Sequence, residues 1–201
     1  MEEFDIIVIG AGTGGCMAAK ASASAGLNVC LVDRKAREEI GNKVCGDAIG
    51  KHHFDQLSLA YPRGEELEGE ILGIKVYSPD VGTTFRIVQE GLTGFMVNRR
   101  LFGQRLLKDA LNAGAFLKDS TQAVRPITKD GFVKRVLVKD LRSSDEDELL
   151  GKAVVDASGV SAVIRNGLPP EIGVEKVEKE DIMICYREIR KLKERITESG
   201  F

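Results

Sequence analysis

The chain has no tryptophan, only 5% aromatic residues, and no two cysteines at the spacing that zinc sites and redox motifs use. Cys16, Cys30, Cys45 and Cys185 are scattered, so no disulfide framework or metal site is expected, and reduced thiols in a cytoplasm are the natural state. A charge of one sign is missing too. Lys and Arg number 29 against 31 Asp and Glu, a formal net charge of -2. No basic face dominates, which argues against nucleic acid as a partner. No run approaches the ~20 apolar residues that span a bilayer. The most apolar stretch, residues 6–9, follows Glu2, Glu3 and Asp5, where a secretory leader would be basic.

Glycine is plentiful at 22 of 201 residues, with 43% hydrophobic and 30% charged residues. That is the composition of a globular chain able to bury a core. The length allows one domain, or one domain and a piece of a second. Many glycines with few aromatics suit a nucleotide-binding α/β protein.

Residues 4–9 form a short continuous apolar run, the pattern of a parallel strand buried on both faces. Gly10-Ala11-Gly12-Thr13-Gly14-Gly15 follows at once. Residues 16–25 are rich in small side chains and read as a helix able to lie close to a sheet, ended by Gly26. Residues 28–32 are a second buried strand, with Asp33 at its carboxyl end. Strand, glycine turn, helix, strand and acid in that order make a dinucleotide-binding fingerprint. Gly10 permits the tight turn, Gly12 lets the backbone approach a pyrophosphate, and Gly15 lets the helix lie against the strand. The helix N-terminus faces the phosphates, and Asp33 is placed to accept hydrogen bonds from a ribose diol. The alternative is a glycine-rich turn with no ligand, which the acid in register disfavours. The motif alone does not separate NAD from FAD. Arg34 and Lys35 read as solvated charges.

Residues 36–50 read as a loop, and 51–57 as the start of a helix. His52 and His53, adjacent on that helix, diverge by about 100° and are not expected to share a metal. Residues 65–70 are polar. Residues 71–77 and 84–88 read as strands joined by a turn at Ser78-Pro79-Asp80 and Gly82. Residues 95–97 are a short strand, and 99–113 an amphipathic helix stopped by Gly114. Residues 115–127 look extended, Lys129-Asp130-Gly131 is a hairpin signal, and 132–138 alternate as a half-buried strand. Residues 142–148 read as a solvated loop, 152–157 as a final buried strand, 182–189 as a strand and 191–197 as helical.

The glycine turn, Asp33 and the later strand ending in Ala157-Ser158-Gly159 resemble the FAD domain of glutathione-reductase-type flavoproteins. More closely, the chain is similar to the archaeal geranylgeranyl reductase family, which saturates isoprenoid double bonds of ether lipids. The residues that carry this are Lys43-Val44-Cys45-Gly46-Asp47-Ala48-Ile49-Gly50, Tyr61-Pro62-Arg63-Gly64-Glu65 and Gly73-Ile74-Lys75-Val76-Tyr77-Ser78-Pro79-Asp80. Gln104-Arg105-Leu106-Leu107-Lys108, Leu168-Pro169-Pro170-Glu171 and Tyr186-Arg187-Glu188 continue it. The cysteine segment is far more specific than the glycine motif. The match is to the N-terminal half of the family's chains, and many relatives carry Glu in place of Asp33.

The resemblance implies an α/β fold: a Rossmann-like FAD-binding domain of glutathione-reductase type over residues 1–65 and 94–168. Residues 66–93 and 169–201 would add inserted strands from an incomplete, β-rich substrate domain. It implies FAD held by Gly10, Gly12, Gly14 and Gly15, with Asp33 on the adenosine ribose and Ala123 opposite the adenine. Cys45, Gly46 and Ala48 would lie near the flavin, and Arg99 at the cofactor. The implied reaction is hydride delivery from reduced FAD to an isolated alkene, with Cys45 the candidate acid for the accompanying proton. Cys45 could instead be a small buried hydrophobe, and Arg99 a surface charge at a helix start. Asp47 reads as a turn residue with no proton-transfer role. The implied partners are a prenyl lipid, peripheral contact with the inner face of the membrane, and a second polypeptide supplying the C-terminal half. These residues alone are not expected to complete a catalytic cycle. The rival readings are a non-catalytic dinucleotide-binding fragment or split-enzyme subunit, and another monooxygenase-like FAD enzyme.

Overall fold

The computed structural model describes residues 2–87, 93–175, 178–184 and 186–188. In chain order the elements are β1 (Glu2–Ile9), α1 (Thr13–Ser24), β2 (Val29–Val32), β3 (Ala48–Gly50), α2 (Lys51–Gln56), β4 (Leu67–Ile71), β5 (Ile74–Tyr77) and β6 (Thr84–Ile87). Then come β7 (Gly94–Val97), α3 (Arg99–Asn112), β8 (Phe116–Lys118), β9 (Thr121–Lys129), β10 (Phe132–Asp140), β11 (Glu146–Asp156) and α4 (Val163–Asn166), with short 3-10 turns between some of them. The chain divides into two compact units, Met1–Asn42 with Gly103–Ile184, and Lys43–Phe102 with Cys185–Phe201.

The first unit is built on a six-stranded sheet in the order β8-β2-β1-β11-β10-β9. β8, β2, β1 and β11 run parallel, while β10 and β9 are antiparallel. All four residues of β2 are buried, as are Ile7, Val8 and Ile9 of β1, which is why both read as uninterrupted apolar runs. α1 buries Gly15, Cys16, Ala19 and Ala23, and the four-residue steps from Gly15 put three of these on one helix face. Gly26 follows with φ 82°, the left-handed position that ends helices. β11 serves two neighbours. Its first half pairs with β10, Lys139 to Glu146 through Arg135 to Leu150, and its second half with β1, Glu2 to Leu149 through Ile9 to Asp156.

Several boundaries differ from the sequence expectation. α1 begins at Thr13, so Gly14 and Gly15 lie inside its first turn. β11 begins at Glu146, inside the stretch expected as loop, because β10 recruits those charged residues into its ladder and Arg135 pairs with Glu148. The stretch 115–127 is broken at Asp119 and at Ser120, whose φ is 48°. The hairpin signal holds, with Asp130 and Gly131 at φ 53° and 78°.

The second unit holds a three-stranded sheet, β3-β7-β4, and a separate pair, β5-β6. Two stretches expected to lack strands, 36–50 and 65–70, contribute β3 and most of β4. The single strand expected over 71–77 is two, broken at Leu72 and Gly73, because β4 pairs with β7 while β5 pairs with β6. Phe54, buried on α2, meets Phe95, Phe102 and Tyr61 with ring centroids 5.5, 5.8 and 6.1 Å away. The units part after residues 42, 102 and 184, whereas the sequence reading drew its boundaries after 65, 93 and 168. β3 and α2 go with the second unit because β3 pairs with β7. Residues 182–184 and 186–188 form no strand, and the rest of that expected strand, Val88 and the expected helix at 191–197 lie outside the described residues. No helix among the described residues is long and apolar enough to cross a membrane.

Candidate functional site

Parallel pairing places the carboxyl ends of β1, β2 and β11 at the same end of the sheet, with β2 and β11 on opposite sides of β1. That divergence is where open α/β sheets leave a crevice for ligands. The glycine turn leaves β1 here and splits into two kinds of position. Gly10 has φ 99°, and a Cβ on it would stand 2.5 Å from the carbonyl oxygen of Ala157, at the corner after β11. A Cβ on Gly15 would stand 1.7 Å from the carbonyl oxygen of Gly10. These two glycines are filled against by the protein itself. Among the described residues, a Cβ on Gly12 or Gly14 would meet nothing within 4 Å. Gly12 is the N-cap of α1, yet it offers no side-chain cap, and the first turn holds no acidic residue. The N–H groups of Gly14 and Gly15, in the first turn, have no partner within the helix and stand at the positive end of its dipole beside the open side of Gly12 and Gly14.

Asp33 lies just past β2 and turns its carboxylate onto the same turn. Oδ2 accepts the Ala11 N–H at 2.7 Å, and Oδ1 accepts the Lys35 N–H at 2.8 Å. Its carbonyl accepts the Thr121 N–H at 2.8 Å, which brings the start of β9 to the same place. Ala123 is two residues further along β9. Its side chain is buried in the core with Ile7, Val136 and Leu149, so a contact with a ligand would fall to its backbone.

Sequence reasoning assigned nothing to Asp156, the last residue of β11. Its Oδ1 accepts from the Ser158 N–H and hydroxyl at 3.1 and 2.6 Å, and its Oδ2 from the Ile164 and Arg165 N–H groups, both at 2.9 Å. It thereby fixes the corner against which Gly10 rests and caps α4. Burial pushes this carboxyl up, but the Ser158 hydroxyl and the N–H groups outweigh it and hold it below the ordinary carboxylate value. The legible signal is an acid followed two residues later by serine at a strand end, an Asx-type turn.

The other predicted residues belong to the second unit. Cys45 is half-buried with a free thiol, Gly46 is exposed, and Ala48 opens β3. Arg99 begins α3, with its guanidinium carbon 5.5 Å from the Phe102 ring centroid. Asn98 caps that helix, its Oδ1 accepting the Leu101 N–H at 3.2 Å. The two histidines do not diverge as expected. Their ring centroids are 3.9 Å apart, at an interplanar angle of 46°. Among the described residues no three His, Cys, Asp or Glu side chains are grouped to hold a metal ion. In the first unit, burial pushes the Cys16 and Cys30 thiols up to about 12.

Residues 5–62 match the family model described as Glucose inhibited division protein A. Over 200 residues the chain is 41% identical to a digeranylgeranylglycerophospholipid reductase of Sulfolobus acidocaldarius, a match covering 99% of this chain and 44% of that one. Over 166 residues it is 35% identical to the protein of the same name from Methanocella arvoryzae, covering 81% and 41%. The chain thus spans less than half the length of these curated relatives. Its fold is similar to the crystal structure of a geranylgeranyl bacteriochlorophyll reductase-like protein from Thermoplasma acidophilum, with TM-score 0.75 and 24% identity over 83% of this chain and 42% of that one. It is also similar to the myxobacterial chondrochloren halogenase, an FAD-dependent halogenase, with TM-score 0.66 and 18% identity over 83% and 40%. At such identities the structures speak for the fold alone, a Rossmann-like fold of FAD-binding flavoproteins, and they do not single out the glutathione-reductase type.

Proposed function

The chain belongs to the archaeal geranylgeranyl reductase-like flavoproteins, of which it matches the N-terminal FAD-binding region, and from that membership we propose that it binds FAD on the turn of residues 10–15. The observation that carries the reading is the division of the four glycines. Two are closed by the protein's own backbone, while Gly12 and Gly14 border open space at a helix end without side-chain cap or acid. A pyrophosphate is the group whose size and charge suit that place. Asp33 suits the adenosine ribose. Each of its oxygens already accepts one backbone N–H, and an ionised carboxylate offers about four acceptor sites, so a diol still finds acceptors. The pre-set N–H partners also fix the direction of the carboxylate. Family membership supports FAD over NAD, and with it the glutathione-reductase type of domain.

For the whole protein we propose an oxidoreductase that saturates the prenyl double bonds of a membrane ether lipid or its precursor. Membership, not geometry, supports this part, including Cys45, Gly46, Ala48 and Arg99 on the flavin side and peripheral contact with a membrane. Bound and reduced, FAD supplies the hydride. The role of the Cys45 thiol is to hold the proton at Sγ for the other carbon. Calorimetric titration of the 201-residue chain with FAD and, in parallel, with NAD tests the cofactor: saturable binding of FAD with none of NAD is expected, and the reverse overturns it. In the whole protein, Cys45→Ser is expected to keep FAD and lower alkene saturation. Unchanged turnover would remove Cys45 from the chemistry.

A further inference from the structure

Asp47 is a buried charge that the cofactor reading does not use. It stands two residues after Cys45 and directly before β3, and it is 4% exposed. Its backbone has φ 60°, in the left-handed region that non-glycine residues seldom occupy. Its carbonyl oxygen accepts the Val97 N–H of β7 at 3.0 Å. Its Oδ2 meets Nη2 of Arg187 at 2.6 Å, and that arginine side chain is itself only 33% exposed. Its Oδ1 is buried with no hydrogen-bond partner among the described residues. A buried, unpaired carboxylate oxygen is costly, and the guanidinium fork already on this carboxylate has further N–H groups to give. An aspartate kept only for its turn conformation would face water and need no cation. Both residues belong to the second unit, so the contact lies within one compact body.

We propose that Asp47, buried, and Arg187, partly exposed, form a clasp that sets the position of the Cys45 thiol, with Asp47 a positioning residue. The carbonyl is held by β7 and the carboxylate by Arg187, so the chain entering β3 has one orientation. Cys45 hangs from it through Gly46 alone, and a Cβ on Gly46 would meet nothing within 4 Å. Among the described residues none packs where a Gly46 side chain would stand, so without the clasp the thiol is expected to sample more of the solvent. The meaning of this for catalysis rests on the reading of Cys45 as the flavin-side thiol, but the clasp itself is tested without flavin.

The measurement is the rate at which Cys45 reacts with a neutral maleimide in the folded 201-residue protein, in a Cys185→Ser background. Cys16 and Cys30 are buried and stay silent. Asp47→Asn retains a residue that favours the left-handed region and removes the charge. Arg187→Gln removes the other half of the pair. Each is expected to raise the rate about tenfold, and the double variant no further, because the clasp is already open. Arg187→Lys keeps the charge and is expected to stay nearer the parent. Parent-like rates in both single variants overturn the proposal. So do single effects that multiply to about a hundredfold in the double variant, the mark of independent sites. Should Asp47→Asn lose its fold by circular dichroism, Arg187→Gln decides alone: a raised rate supports the clasp and a parent-like rate overturns it. Failure here leaves the FAD reading standing, and failure to bind FAD leaves the clasp standing.

Discussion

A methyl group added at Gly14 and one added at Gly15 should act oppositely, although the two residues are neighbours in the same helical turn. Gly15→Ala drives a Cβ into the Gly10 carbonyl, and overpacking of that kind should cost about 3 kcal/mol of unfolding free energy. Gly14→Ala meets open space and should leave stability within about 1 kcal/mol of the parent, yet weaken FAD. Urea midpoints with a flavin titration separate the two, and equal destabilisation by both would count against the assignment. Asp156 carries a pH signature. Its pKa is depressed in the fold, so its contribution is present above the unfolded value near about 3.9 and is lost as pH falls through the folded one. Asp156→Asn should lower stability by about 1 kcal/mol at pH 7, and the gap to the parent should close below about pH 4. A gap that stays constant from pH 7 to pH 3 would show that the charge is not what Asp156 contributes.

At the scale of elements, β1, the glycine turn, α1 and β2 were legible because each is specified locally: a continuous apolar run, small residues at four-residue steps, and a glycine to stop the helix. β4 and the front of β11 were not. They are polar, and pairing makes them strands, β4 with β7 further along the chain and the front of β11 with the neighbouring β10 across a hairpin. Charged residues on a half-exposed strand look like a loop until the partner is known. The hydrogen bond that brings Thr121 to Asp33 shows only in three dimensions, and the Asp156 cap stayed hidden because its meaning depends on α4. The elements also predict thiol chemistry. Cys16 is buried on α1, its thiol donating to the Ala11 carbonyl, and Cys30 lies within β2, both with thiols pushed up to about 12 by burial. At pH 8 neither should react with a maleimide until denaturant opens the first unit, and mass mapping of labelled peptides checks this. Labelling of Cys30 in native buffer would mean that β2 opens on its own.

At the scale of the molecule, the fold holds the glycine turn of residues 10–15 in one compact unit and the Cys45 loop in another. The first is an argument from geometry. The second owes its functional meaning to the family, and the match covers less than half of the curated relatives' own length. Asp47 with Arg187 illustrates what no sequence pattern reveals: an aspartate in a turn-like string and an arginine near the other end of the chain meet only in three dimensions. The claim on which the account turns is that the space at Gly12 belongs to the FAD pyrophosphate. It is tested by measuring the FAD dissociation constant of the parent and of Gly12→Val side by side with their urea midpoints. Unfolding free energies from those midpoints are expected within about 1 kcal/mol of each other, with FAD binding at least tenfold weaker in the variant. A Gly12→Val protein that binds FAD as tightly as the parent would contradict it.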